Sequence, residues 1–122
     1  GTDIVAYARI ERLHEKYGKA FAGRVLSPDE LPELHQHPHP ARLLMKRFAA
    51  KEALAKAAGC GLRHPLTLQS VSVGHDALGK PTFVFDARLA EYFAGLGVTR
   101  HHLSISDERE VAVAFVVLES DQ

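Results

Sequence analysis

The sequence predicts an α+β fold: an antiparallel sheet with helices packed on one face, one of them long and alanine-rich. Three observations carry this reading. Residues 47–59 read R-F-A-A-K-E-A-L-A-K-A-A-G, a run of small, strong helix formers that ends in glycine. From residue 66 onward several segments place apolar residues at every second position instead of every third or fourth. The last two alternating segments are separated only by Asp107-Glu108-Arg109, a connection short enough to make them a hairpin.

The elements follow in order. Thr2-Asp3-Ile4-Val5 reads as a short strand. Tyr7 to Tyr17 reads as a helix, because Ile10, Leu13, His14 and Tyr17 recur at three- and four-residue steps. Gly18 and Gly23 bracket a short helix holding Phe21. Ser27-Pro28-Asp29-Glu30 predicts another helix start, with Ser27 as N-cap and Glu30 closing a capping box. Pro32 keeps that helix short. His35-Gln36-His37-Pro38-His39-Pro40 invites a metal reading, but tracts of this kind are only compositional signals, and two prolines make it a stiff loop. The long helix runs over about residues 40–58 and stops at Gly59-Cys60-Gly61.

In the second half, residues 66–73 (L-T-L-Q-S-V-S-V) alternate like a half-buried strand. His75 to Lys80 makes a turn with Gly79 at positive φ. Thr82 to Phe85 is the next strand. Ala87 to Leu96 is a helix with Leu89, Tyr92, Phe93 and Leu96 facing inward. His101 to Ser106 and Glu110 to Glu119 are the final pair of strands.

Composition narrows the class. A chain of 122 residues fits a single domain over residues 1–122 and buries enough surface for a core without staples. Hydrophobic content of 46% and charged content of 25% are ordinary for a globular protein. Lys plus Arg equals Asp plus Glu, 15 each, which argues against a general nucleic-acid binder. The single Cys60 permits no internal disulfide and suits a reducing cytoplasm. No run of about 18 apolar residues predicts a membrane span. No secretory leader is expected, and Gly1 reads as the middle of a strand.

Candidate chemistry lies in two acids. On the long helix, Phe48, Glu52 and Lys56 share one stripe, with Met45 and Ala49 within roughly 60° of Glu52. The carboxylate therefore sits among apolar and small side chains. Asp3 comes from the first strand. Mg²⁺ takes one or two protein carboxylates and fills its remaining positions with water and substrate phosphate oxygens, so Asp3 and Glu52 suit it if the fold joins them. Lys56 is either a surface partner of Glu52, worth about 0.3–0.5 kcal/mol, or a cation for a phosphate. Arg47 and Lys51 read equally well as solvated face residues. Gly79-Lys80-Pro81 offers a backbone amide and a lysine to an anion, or is a plain hairpin turn.

Taken in order, G-T-D-I-V, R-F-A-A-K-E-A-x-x-K-A, L-G-K-P and H-L-S-I-S resemble holo-acyl-carrier-protein synthases, the short bacterial 4′-phosphopantetheinyl transferases, over nearly the whole chain. The resemblance implies a phosphopantetheinyl transferase-like fold. It also implies transfer of 4′-phosphopantetheine from coenzyme A to a serine of apo-acyl carrier protein in fatty acid biosynthesis. Adenosine 3′,5′-bisphosphate is the second product. By the same resemblance Asp3 and Glu52 bind Mg²⁺ and Lys56 assists the leaving phosphate; Glu52, or a metal-bound water it orients, is the candidate base. Arg47, Gly79, Lys80, Pro81 and Ser104 stand beside coenzyme A. The first long helix, with Arg9 foremost and then Arg12 and Arg24, docks the acidic carrier protein. A homotrimer with active sites between subunits is implied as well, in the cytoplasm. Asp107 departs from the family, where many members carry histidine, and an ionised aspartate cannot donate to a phosphate. That departure alone favours an alternative, a non-catalytic coenzyme A or carrier-protein binding module of the same fold. Arg109 or His101 is the expected source of the positive charge lost there.

Overall fold

The computed structural model describes residues 1–121, and its elements alternate as the sequence predicts. They are β1 (Thr2–Ala6), α1 (Tyr7–Tyr17), α2 (Lys19–Val25), α3 (Leu31–Gln36), α4 (Pro40–Ala58), β2 (Val71–His75), β3 (Pro81–Phe85), α5 (Ala87–Gly95), β4 (Arg100–Asp107) and β5 (Val111–Glu119). The strands form two antiparallel sheets instead of one: a three-stranded sheet in the order β1-β5-β4, and a separate β2-β3 hairpin.

α4 is the organising element. Pro40 opens it, where a missing N–H costs nothing, and Gly59 closes it in the left-handed conformation at φ 78°. Leu44, Met45, Ala49, Ala50, Ala53 and Leu54 are completely buried. Small residues let β1 and β5 lie close against the helix. Gly1 shows how close: a Cβ there would stand 2.4 Å from Ala53 O and 2.5 Å from Ala57 N. Only glycine fits that approach, and it brings β1 within reach of Glu52.

The three-stranded sheet has two unlike faces. Val5, Leu103, Ala112, Ala114 and Val116 point into the core. Ile4, Val113, Phe115 and Val117 point away from it and are exposed, Ile4 at 66% and Phe115 at 50%.

Several local expectations are corrected. Residues 66–70 are turns, not strand, and β2 begins at Val71. Their buried Leu66 and Ser70 serve loop packing, which mimics strand alternation. Gly23 lies inside α2 and does not bound it. Leu96 sits past the end of α5 and is 52% exposed. Ser27 does not cap a helix. Its N–H donates to Glu30 Oε1 at 2.9 Å, half of a capping box, but its hydroxyl meets Ser72 Oγ at 2.5 Å, and α3 starts only at Leu31.

Candidate active site

β1 and α4 bring the two predicted acids together. Asp3 pairs across the sheet with Ala114, whose own neighbour on β4 is Ile105, so Asp3 belongs to the face that packs on α4. Its Oδ1 accepts from Lys56 Nζ at 3.0 Å. Glu52 lies one turn before Lys56 on the helix and is half-buried. Burial raises the Glu52 carboxyl above its ordinary value, and the negative charge of Asp3 raises it further. Lys56 and Arg9 pull in the opposite direction. Two carboxylates that repel each other, with only exposed and displaceable cations nearby, form a site that a divalent cation can enter. Among the described residues no three His, Cys, Asp or Glu groups cluster into a protein-only metal cage. The donor set is therefore a pair of hard oxygen ligands with open positions, and it fits Mg²⁺ shared with a phosphate.

Arg9 leads from this site toward a groove. Its guanidinium lies 5.7 Å from the Phe48 ring centroid. Phe48 continues into a largely apolar groove of about 730 Å³ lined by Leu13, Phe21, Leu68 and Arg24, among others. Arg12 is exposed on the same helix.

Arg47 and Lys51 are not solvated. Lys51 is fully buried, and its ammonium donates to Glu30 Oε1 at 2.6 Å, Leu68 O at 2.6 Å and Val25 O at 2.8 Å. Burial pulls this ammonium below the ordinary lysine range, and the Glu30 charge pulls it back. Arg47 Nη2 donates to Glu33 Oε2 at 2.8 Å, while its buried Nε stands 3.4 Å from Glu30 Oε2 without a formed hydrogen bond. Glu30 thus anchors both cations. Sequence reasoning saw it only as a cap. The available signal was helical: Lys51 falls seven residues after Leu44 and four before Ala55, on the buried stripe. Any contact between Arg47 and coenzyme A would have to be made by a side chain already engaged with two glutamates.

Gly79, Lys80 and Pro81 lie at the tip of the β2–β3 hairpin, with Gly79 at φ 87°. Asp76 Oδ1 accepts from the N–H groups of Leu78 and Lys80, both at 2.9 Å, and fixes the turn. The Lys80 side chain is exposed.

Ser104 lies elsewhere. It pairs with Phe115, which pairs with Thr2, so it belongs to the outer face of the sheet, opposite Asp3. Within one chain it does not join the acids.

Asp107 is held by a residue that sequence reasoning missed. Arg42, in the first turn of α4, donates from Nη1 to Asp107 Oδ2 and Glu108 O, and from Nη2 to Arg109 O, each at 2.9 Å. Its guanidinium also lies 5.1 Å from the Tyr7 ring centroid. Arg42 is the cation that pairs with Asp107 at this turn. The partners stand 65 residues apart, and no spacing rule reaches that far.

A strand-borne and a helix-borne carboxylate with a lysine one turn on, in an α+β frame, make a donor set that suits a divalent cation shared with a phosphate. Residues 1–116 match the family described as ACPS, the 4′-phosphopantetheinyl transferase superfamily. The chain is 56% identical to a holo-[acyl-carrier-protein] synthase of Nitrosospira multiformis, over 98% of its own length and 95% of that protein's. The crystal structure of the Neisseria meningitidis holo-[acyl-carrier-protein] synthase superimposes with a TM-score of 0.95 at 50% identity, covering 98% of this chain and 96% of that one. A Bacillus anthracis holo-(acyl-carrier-protein) synthase in complex with CoA (3′,5′-ADP) superimposes with a TM-score of 0.81 at 33% identity, covering 99% and 95%. The chain belongs to the 4′-phosphopantetheinyl transferase superfamily, among its holo-[acyl-carrier-protein] synthases.

Proposed function

We propose that residues 1–122 act as one transferase domain in which Asp3 and Glu52 work as a pair on the pyrophosphate of coenzyme A. The reaction is the family's: 4′-phosphopantetheine passes from coenzyme A to a serine of apo-acyl carrier protein, and adenosine 3′,5′-bisphosphate is released. The observation that carries this reading is the meeting of Asp3, Glu52 and Lys56 at one place on β1 and α4. A Mg²⁺ ion bound there would neutralise the pyrophosphate and offset charge on the bridging oxygen. The carrier serine Oγ attacks the phosphorus bearing pantetheine, and the bond from that phosphorus to the bridging oxygen breaks. Glu52 takes the serine proton as general base. Lys56 leaves Asp3 and steadies the departing phosphate. Lys80, its neighbours Gly79 and Pro81, and Arg47 are the proposed contacts to the nucleotide end.

The carrier protein is acidic, and Arg24 in the groove, Arg9 over Phe48 and the exposed Arg12 of α1 offer it positive charge. Arg9 reaches both the groove and Glu52, so docking there would deliver the serine to the acids.

The outer sheet face favours a homotrimer with sites between subunits. Ile4, Val113, Phe115 and Val117 make an apolar surface suited to burial, and Ser104 lies among them, on the wrong side to reach its own chain's acids. A neighbouring subunit's acids are then its target. Cytoplasmic action in fatty acid biosynthesis completes the proposal; among the described residues no helix is long and apolar enough to cross a membrane.

Incubating apo-acyl carrier protein with the chain, coenzyme A and Mg²⁺ tests the chemistry by mass spectrometry. The carrier should gain one phosphopantetheine, and chelation should stop the gain. Binding without the mass increase would favour the non-catalytic module. The Asp107 departure lends that module little, because Arg42 already neutralises the aspartate. For the assembly, mixed trimers of Asp3→Asn and a Ser104→Tyr variant should recover activity that neither has alone. Failure of both to complement would place each site within one chain.

A further inference from the structure

A two-stranded hairpin is marginal in water unless other elements hold it. The β2–β3 hairpin is held at one rung from both sides. Val73 and Phe83 pair across it, and both are buried. Neither N–H is used inside the hairpin. Val73 N donates to Glu30 Oε2 at 2.9 Å, and Phe83 N donates to His101 Nε2 at 3.2 Å. A carboxylate beside α3 and an imidazole on β4 thus stand where neighbouring strands would otherwise be.

The two acceptors differ in one respect. Glu30 is ion-paired with Lys51 and presents a carboxylate oxygen, which accepts and has no N–H to turn against the hairpin. His101 accepts only while Nε2 carries no proton, so its hydrogen sits on Nδ1. An imidazolium has two donors and no acceptor, and would turn an N–H against the N–H of Phe83. The ring packs against Phe83 at 5.6 Å and Phe85 at 5.2 Å between centroids, with Leu118 as its partner on β5. Those β3 and β5 neighbours are all uncharged, and Phe85 in turn meets the uncharged Phe93 of α5. His102, next on β4 and paired with Glu119 Oε1, is the ionisable neighbour that acts on it.

We propose that His101 is a positioning residue for coenzyme A: its neutral ring holds the β2–β3 hairpin, and with it the Gly79-Lys80-Pro81 turn, against β4, and its protonation releases them. The proposal rests on the reading that this turn contacts coenzyme A. Burial, and secondarily His102, hold the closed imidazole below its ordinary value of 6.5. An opened hairpin would let it return there, so opening becomes easier as pH falls from about 6.5. Asp3, Glu52 and Lys56 lie on β1 and α4, so the loss should appear in KM for coenzyme A and leave kcat unmoved.

Two measurements decide it. The amide protection of Phe83 should fall between pH 7.5 and 5.5, while that of Val73, held by Glu30, should not. Unchanged Phe83 protection would overturn the latch, and this arm needs no variant. Over the same range KM for coenzyme A should rise about 3- to 10-fold more in the parent than in His101→Gln, which keeps a non-titrating acceptor; one hydrogen bond accounts for that size. Coincident KM profiles, with Lys80→Ala still raising KM, would also overturn the role of His101. If Lys80→Ala leaves KM unaltered, the turn's contact with coenzyme A is what fails, and the positioning role falls with it.

Discussion

On α4, Lys51 is fully buried, and its ammonium meets a carboxylate and two carbonyls, whereas Glu52, the next residue, is half-exposed and faces another carboxylate. One is a closed electrostatic circuit. Lys51 hydrogen-bonds Glu30, Arg47 adds a longer ion pair to it, and Glu30 also takes the N–H groups of Ser27 and Val73. The other is open: Asp3 and Glu52 bring two negative charges together, with Lys56 and Arg9 as exposed partners. Adjacent residues of one motif therefore do opposite work. The closed region fixes α4 against the end of α2, the segment before α3, and the turn that leads into β2. The open region sets like charges together with only exposed partners, so a divalent cation and a phosphate can take their place.

The largest effect should come from opening the closed circuit. Lys51→Met preserves bulk but leaves Glu30 buried with only a poorly placed Arg47. Removing one partner of a buried pair costs about 3–5 kcal/mol, to be read from denaturant unfolding. Lys51→Met with Glu30→Gln should recover part of the loss, since no buried charge then lacks its main partner. A single-variant loss under about 1 kcal/mol would mean that Lys51 is not what satisfies Glu30.

Glu52→Gln should do the reverse. Turnover should drop by at least about 10²-fold, the scale for losing a base or a metal ligand. Stability should hold or rise. The folded carboxyl sits above its ordinary value of 4.5, so the parent loses stability as pH climbs from there through the folded value. Glu52→Gln lacks that loss, and its advantage in Tm should grow over this window and vanish below it. Added Mg²⁺ should raise the parent's Tm and leave that of Glu52→Gln unmoved. A destabilised Glu52→Gln at neutral pH would show that the open region is not strained by like charge.

Much of this contrast was legible beforehand, and the remainder has physical reasons for being hidden. Periodicity places α1, α5 and the last hairpin within a residue or two, because each has an apolar stripe or alternation, and a run of strong helix formers closed by Gly59 places α4. It fails at residues 66–70, where loop packing alternates buried and open side chains as a strand would. The local pattern around Glu52 exposes its half-buried setting, since Phe48, Met45 and Ala49 share its side of the helix. Lys51, Glu30 and Arg42 escape because a charged residue reads as solvated until its distant partner is known. Ser104 is named by its motif, yet only the register with Phe115 shows which face it takes.

Arg42 lies between the two extremes. It is partly exposed but bonds three groups of one turn, so Arg42→Ala should cost about 1–2 kcal/mol. Arg42→Lys should recover less than half, because one ammonium cannot span Asp107 and two carbonyls as a planar fork does. Thermal unfolding of the two variants measures this. Equal stability of Lys and Arg at this position would reduce the contact to simple charge pairing.

The smallest expected number belongs to Asp3 and Lys56. Their side chains are 14% and 55% exposed, so a double-mutant cycle of Asp3→Asn and Lys56→Gln should give a coupling below about 1 kcal/mol, fading in 1 M salt. A coupling near the buried-pair range would count against the proposed mechanism, because Lys56 has to leave Asp3 Oδ1 for the departing phosphate during each turnover. A weak, screened contact is easily exchanged for a stronger one, whereas the Lys51–Glu30 contact one residue away from Glu52 is not. The same helix can therefore hold the fold with one lysine and release the other to the substrate.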